Sequence, residues 1–219
     1  MVLNSFSTTR TARYISLGEA GPQVQHVWFC LHGESQLLPE FAAQLVNLDT
    51  PERLLILPEA LSRYPVAPTA AEPLATAATW FAPGSLLPDL ADLTAYLDAL
   101  AEQVLAQCPA GVPVTVLGYG QGAAAACRWL AGGRVDYERL VLYASVFPPE
   151  IDRRSTLVAL PDKPITLVTT TTDVYTAEAA GEGLLHDLHD VGLNAQLRYV
   201  SDGPLTLAAL GAAGEARLE

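Results

Sequence analysis

Short β-prone apolar runs punctuate this chain, and most of the spaces between them carry helical spacing. The runs cover residues 24–31, 53–57, 112–117, 139–143, 165–169 and 195–200, with a weaker alternating stretch at 12–17. Between them, residues 39–48 set Phe41, Leu45 and Leu48 one helical turn apart. Residues 89–107 carry Leu90, Leu93, Leu97, Leu100, Val104 and Leu105 as one stripe. Further helices are predicted over 123–130, over 177–191 with Gly192 as C-cap, and over 204–218. Buried strands that alternate with helices predict an α/β fold, a mostly parallel sheet with helices on both faces. The 219 residues show no linker, so one domain over 1–219 without a separate cap is expected. Residues 59–88 interrupt the alternation. They are rich in Pro, Ala and Thr, carry the aromatic pair Trp80 and Phe81, and read as a long functional loop.

Charge narrows the partners. Lys and Arg number 12 against 24 Asp and Glu, a net charge of −12, which repels phosphate backbones and excludes nucleic acid as a partner. No apolar stretch approaches the ~18 residues of a membrane span. Residues 1–10 are polar and do not read as a signal peptide. Cys30, Cys108 and Cys127 form neither a disulfide framework nor a zinc spacing, so a cytoplasmic protein with free thiols is expected.

In parallel α/β sheets ligands bind beyond the carboxyl ends of the strands. Four segments occupy such ends: 32–36, 118–122, 170–175 and 201–205. Residues 118–122 read Gly-Tyr-Gly-Gln-Gly between a strand and a helix. This is the setting of the nucleophile elbow G-x-S-x-G, whose outer glycines let strand and helix pack around a sharp turn. The central position, where the nucleophile stands, is Gly120.

With these segments in view, the chain resembles the α/β-hydrolases of the phospholipase/carboxylesterase type, close to the acyl-protein thioesterase-like esterases. Residues 27–36 (VWFCLHGESQ) are similar to that family's strand ending in L-H-G-x-G. Residues 117–130 (LGYGQGAAAACRWL) resemble L-G-F-S-Q-G-x-A-x-x-x-R-W, and residues 140–149 (LVLYASVFPP) the strand that follows. Residues 168–175 (VTTTTDVY) resemble the acid-bearing G-T-x-D, and 201–205 (SDGPL) the terminal D-G-G-H. The five matches keep the family's order and cover nearly the whole chain.

The resemblance implies an α/β-hydrolase fold and a Ser-His-Asp triad, of which this chain retains only the acid, Asp173. The nucleophile position is Gly120 and the base position is Leu205. The oxyanion-hole N–H groups map to Glu34 and Gln121, and Ser35 replaces a glycine. A carboxylate at Glu34 opposes the negative charge that develops in acyl transfer. Loss of serine or histidine removes roughly 10⁶ of a triad's rate. The expected protein is therefore a degenerate esterase that keeps the fold and has lost the chemistry.

Other residues carry two readings each. Glycine at 120 relieves the strain a serine bears in an elbow. Asp173 either orients a base or caps a turn. His32 shapes the His-Gly loop or lines the pocket; Trp80, Phe81 and Tyr119 line it or plug the core. Glu34 is a loop charge or recognises a cation. His186 and His189 lie three apart on a helix, a metal face in one reading and a solvated helix end in the favoured one. Cys30 and Cys127 are expected to be buried filling. No metal and no cofactor are expected. Three functional readings follow: a ligand-binding or regulatory pseudo-hydrolase for a small apolar or acyl ligand, a carboxylic-ester hydrolase with altered chemistry using Glu34, Asp173 and Ser35 or Ser201, and an interaction protein forming a homodimer.

Overall fold

The strand that leads to the elbow is the middle of a seven-stranded sheet. The structure is a computed structural model that describes residues 4, 6, 8–66, 75–82, 84, 87–170, 181–200 and 210. The strands are β1 (Tyr14–Leu17), β2 (His26–Leu31), β3 (Arg53–Pro58), β4 (Ser62–Pro65), β5 (Thr76–Thr79), β6 (Val114–Tyr119), β7 (Arg139–Tyr143), β8 (Ile165–Thr170) and β9 (Ala195–Val200). The helices are α1 (Leu38–Leu45), α2 (Leu87–Leu105), α3 (Gln121–Gly132), α4 (Arg153–Val158) and α5 (Glu182–Asp190).

The large sheet runs β1-β3-β2-β6-β7-β8-β9. Only β1 is antiparallel to its neighbour; β3, β2, β6, β7, β8 and β9 are parallel in turn. β2 and β3 are buried at every position, which is why they read as unbroken apolar runs. Along β2 the side chains alternate between faces. Val27, Phe29 and Leu31 join a core that holds Leu93 and Leu97 of α2, the alanines of α3, and Leu184 and Leu188 of α5. Trp28 and Cys30 join a second core with Phe41 and Leu45 of α1. Helices thus cover both faces, as the alternation of runs predicts.

Two elements depart from expectation. Residues 59–88 are not one loop: β4 and β5 pair antiparallel inside them, with Tyr64 opposite Ala77, and Gln36 bridges to Ala78. Alanine has weak strand propensity, so β5 (TAAT) gives no local signal; it is a strand because Ala77, Ala78 and Thr79 are buried against the rest of the fold. The short helix α4 has no apolar period in the sequence either. It is one turn and a half, started by Asp152, whose carboxylate accepts from the Ser155 N–H at 3.1 Å and the Ser155 hydroxyl at 2.7 Å. The helix expected over 204–218 lies outside the described residues apart from Leu210, which is buried in the second core. No described helix is long and apolar enough to cross a membrane.

Candidate functional site

The turn from β6 into α3 is built by three glycines under different constraints. A Cβ on Gly118 would lie 2.5 Å from the Ala123 Cα, and one on Gly122 would lie 2.3 Å from the Leu31 carbonyl oxygen and 2.5 Å from that of His32. Both neighbours are backbone and cannot step aside. Gly120 has φ 54 and ψ −120, a conformation that side-chain-bearing residues rarely adopt. The fold fixes it: Gly120 N–H donates to the Tyr143 carbonyl at 2.9 Å, and its own carbonyl accepts from the N–H groups of Ala123 at 3.1 Å and Val146 at 3.0 Å. Among the described residues a Cβ there would meet only the Gly33 Cα, at 3.5 Å. The strand enters this turn two residues later than its apolar run implies, because Gly118 and Tyr119 still pair with Leu142 and Tyr143 of β7.

Gly33 brings the loop after β2 against the turn. Its N–H donates to the Gln36 side-chain oxygen at 2.8 Å, which folds residues 33–36 back on themselves. Glu34 is exposed at the rim. Among the described residues, neither the Glu34 N–H nor the Gln121 N–H has an acceptor, and Gln121 is the first residue of α3, where no intrahelical acceptor exists. Next to Glu34, Ser35 holds φ 57, donates its N–H to the Ala78 carbonyl at 3.0 Å, and pairs its hydroxyl with that of Tyr64 on β4.

His32 is fully buried. Its Nε2 accepts from the Ala60 N–H at 3.1 Å, so Nδ1 carries the proton and donates it to the Gly33 carbonyl at 2.7 Å. Both ring nitrogens are thus spent on backbone. Burial holds the imidazole neutral by lowering its pKa. Trp80 lies against it, ring centres 5.1 Å apart, and donates its indole N–H to the His32 carbonyl at 2.8 Å. Phe81 is buried in the first core. Tyr119 is half-buried; its ring rests on Gly33 and lies 5.2 Å from that of Tyr143.

The Gln121 side chain has a role that no local pattern announces. It is buried, and its oxygen accepts from the Thr79 hydroxyl at 2.8 Å, the Trp80 N–H at 2.8 Å and the Phe81 N–H at 3.3 Å. One amide therefore pins the end of the β4–β5 hairpin to the elbow. Asp173, Leu205 and Ser201 lie outside the described residues. His186 and His189 point to different partners: His186 approaches Asp190 at 3.4 Å, and His189 donates to the Ala195 carbonyl at 2.9 Å. Among the described residues no group of three His, Cys, Asp or Glu side chains is placed to hold a metal. Cys30 and Cys127 are buried, and burial raises both thiol pKa values, that of Cys127 to about 12, so neither is a thiolate at neutral pH.

A parallel sheet entered through an antiparallel edge strand, with a glycine-framed turn after its central strand, is matched by solved hydrolase structures over nearly the whole chain. This chain has the α/β-hydrolase fold. Esterase PE8 superposes with a TM-score of 0.63 at 17% identity, over 94% of this chain and 97% of its own. A phospholipase/carboxylesterase from Dyadobacter fermentans gives 0.59 at 16%, over 96% and 98%. Acyl-protein thioesterase 2 from Zea mays gives 0.59 at 19%, over 93% and 96%. No family model matches the sequence, and no curated protein matches it. At these identities the likeness carries the fold and leaves the chemistry to the residues of this chain.

Proposed function

We propose that this protein is an esterase-like α/β-hydrolase-fold protein that binds a ligand at the strand ends without Ser-His-Asp hydrolysis. The observation that supports it is Gly120 at the apex of the turn, where the fold presents a nucleophile and this chain has no side chain. The two N–H groups of Glu34 and Gln121 remain free of described acceptors, so the polar half of an acyl site outlives the reactive half. Position 205, where the resemblance calls for the base, is leucine.

The test is reconstruction. Among the described residues a Cβ at 120 makes only ordinary contact with Gly33, which leaves room for serine. Wild-type protein is expected to show no serine-dependent hydrolysis of short acyl esters and no fluorophosphonate labelling. Gly120→Ser alone lacks a base and Leu205→His alone lacks a nucleophile, so each stays near background. The double variant is expected to gain hydrolysis by at least ~10²-fold, and Glu34→Tyr to add to it by removing the carboxylate from the rim. Wild-type turnover that survives repurification would reject the reading.

A second reading, a hydrolase with altered chemistry, is favoured by one contact. Ser35 sits in left-handed backbone beside Glu34, with its hydroxyl on that of Tyr64. Strained serines of this kind gather at functional sites. Under that reading, Ser35→Ala and Tyr64→Phe would each abolish a slow hydrolysis of short acyl esters.

A further inference from the structure

A hollow of about 980 Å³ lies between the N-terminal arm, α2 and the segments flanking the hairpin. Small-molecule sites fall in the range of roughly 300–1,000 Å³. Alternate residues of the arm face it, among them Phe6, Arg10 and Tyr14, while α2 lines it from Asp89 to Gln103. Fourteen helical steps span ~21 Å, so the hollow is a groove and its ligand is elongated.

Its lining carries a chemical preference. Phe6, Tyr14, Trp80 and Tyr96 supply aromatic surface, and Phe6 is 88% and Tyr14 41% exposed. Ala95 and Ala99, both exposed on α2, keep the floor low. Among the described residues the charged lining is two carboxylates, Asp89 and Asp92, and one guanidinium, Arg10. Asp92 makes no ion pair among the described residues. Around the groove, a net charge of −12 concentrates cations and repels anions. Aromatic faces with carboxylates beside them suit an organic ammonium. We propose that this groove is a binding site for an elongated organic cation, with its ammonium group beside Asp92 and its apolar tail along α2.

The groove adjoins the strand-end site at one residue and does not depend on the function proposed there. Trp80 belongs to both, since it lines the groove while its indole and backbone N–H groups bond to His32 and Gln121. Its fluorescence therefore reports occupancy.

The experiment titrates the full chain with three probes of equal tail, each below its micellar concentration: decyltrimethylammonium, decyl sulfate and decyl maltoside. Calorimetry and tryptophan fluorescence are read together. The ammonium is expected to bind saturably, one per chain, and at least ~10-fold more tightly than the sulfate, with the maltoside between them. Asp92→Asn is expected to weaken the ammonium by roughly five- to tenfold, and Arg10→Gln to strengthen it by a few-fold. Ala99→Trp, or Ala95→Phe should that variant misfold, fills the groove and abolishes binding. Trp80→Phe is expected to remove the fluorescence change and to weaken calorimetric binding by a few-fold, since a smaller ring then lines the groove. Gly120→Ser with Leu205→His leaves ammonium affinity unchanged. Sulfate binding as tight as ammonium, or ammonium binding indifferent to both Asp92→Asn and the groove-filling variants, overturns the proposal.

Discussion

Gly118, Gly120 and Gly122 stand at alternate positions across one turn, yet alanine at each meets a different force. At Gly118 and Gly122 the added methyl runs into backbone at 2.5 and 2.3 Å, and relief requires strand β6, helix α3 or the loop after β2 to move. Gly122→Ala is expected to cost ~3 kcal/mol or more, or to prevent folding. At Gly120 the methyl has room among the described residues, and what resists it there is the backbone conformation. Gly120→Ala is therefore expected to cost ~1–2 kcal/mol, read as a shift of the urea midpoint. Equal costs at 120 and 122 would mean that the space above the elbow is closed, and the room claimed there for a serine would vanish with it. The sequence pattern announces that glycine is needed at all three positions. It does not distinguish steric need from conformational need, because that difference lies in how close residues 31–33 approach.

Elements with their own apolar period were legible in the sequence, and elements made by their neighbours were not. α2 shows its stripe over five turns, and β2 and β3 show unbroken apolar runs because both faces are covered. β5 is four residues of alanine and threonine, and its strand character comes from Tyr64, Gln36 and the burial around it. The candidate site divides the same way. The elbow and the His-Gly loop follow from local pattern, whereas the tie between hairpin and helix is one amide making contacts some forty residues away. That tie is testable. Gln121→Leu keeps the volume and strips the acceptor from two buried N–H groups and a hydroxyl. A loss of ~2–4 kcal/mol is expected. Gln121→Glu keeps an acceptor oxygen and is expected to recover part of it at neutral pH. A leucine variant with the wild-type urea curve would show that the 79–81 segment holds its place without the amide.

At the scale of the whole molecule, the acidic surface and the buried histidines set opposite responses to acid, and they separate by pH. His26 reaches from β2 to Thr115 on β6, hydrogen-bonded at 2.9 Å, in the middle of the sheet. Burial, then the charges of Arg53 and Arg139, lower its pKa from 6.5 to about 4. His32 is lowered in the same direction, again by burial. Both imidazoles are neutral in the fold and bind a proton more readily in the unfolded chain. The unfolded state therefore takes up more protons between about pH 6.5 and 4, and stability rises with pH across that window. The stabilisation is fully present above pH 6.5 and is lost as pH falls through it. His26 alone is expected to account for ~1–2 kcal/mol between pH 6.5 and 5. Below about pH 5 the carboxylates begin to protonate, which relieves the self-repulsion of a chain with net charge −12 and flattens the decline. Urea midpoints taken from pH 7.5 to 5 in constant salt are expected to hold nearly level down to about pH 6.5 and to fall below it, and His26→Gln to remove a measurable part of that slope. Added salt screens the surface carboxylates and leaves buried imidazoles largely untouched, so the slope between pH 6.5 and 5 is expected to persist in high salt. A slope that salt erases would assign the acid response to the surface and leave the sheet-spanning histidine without a part in it.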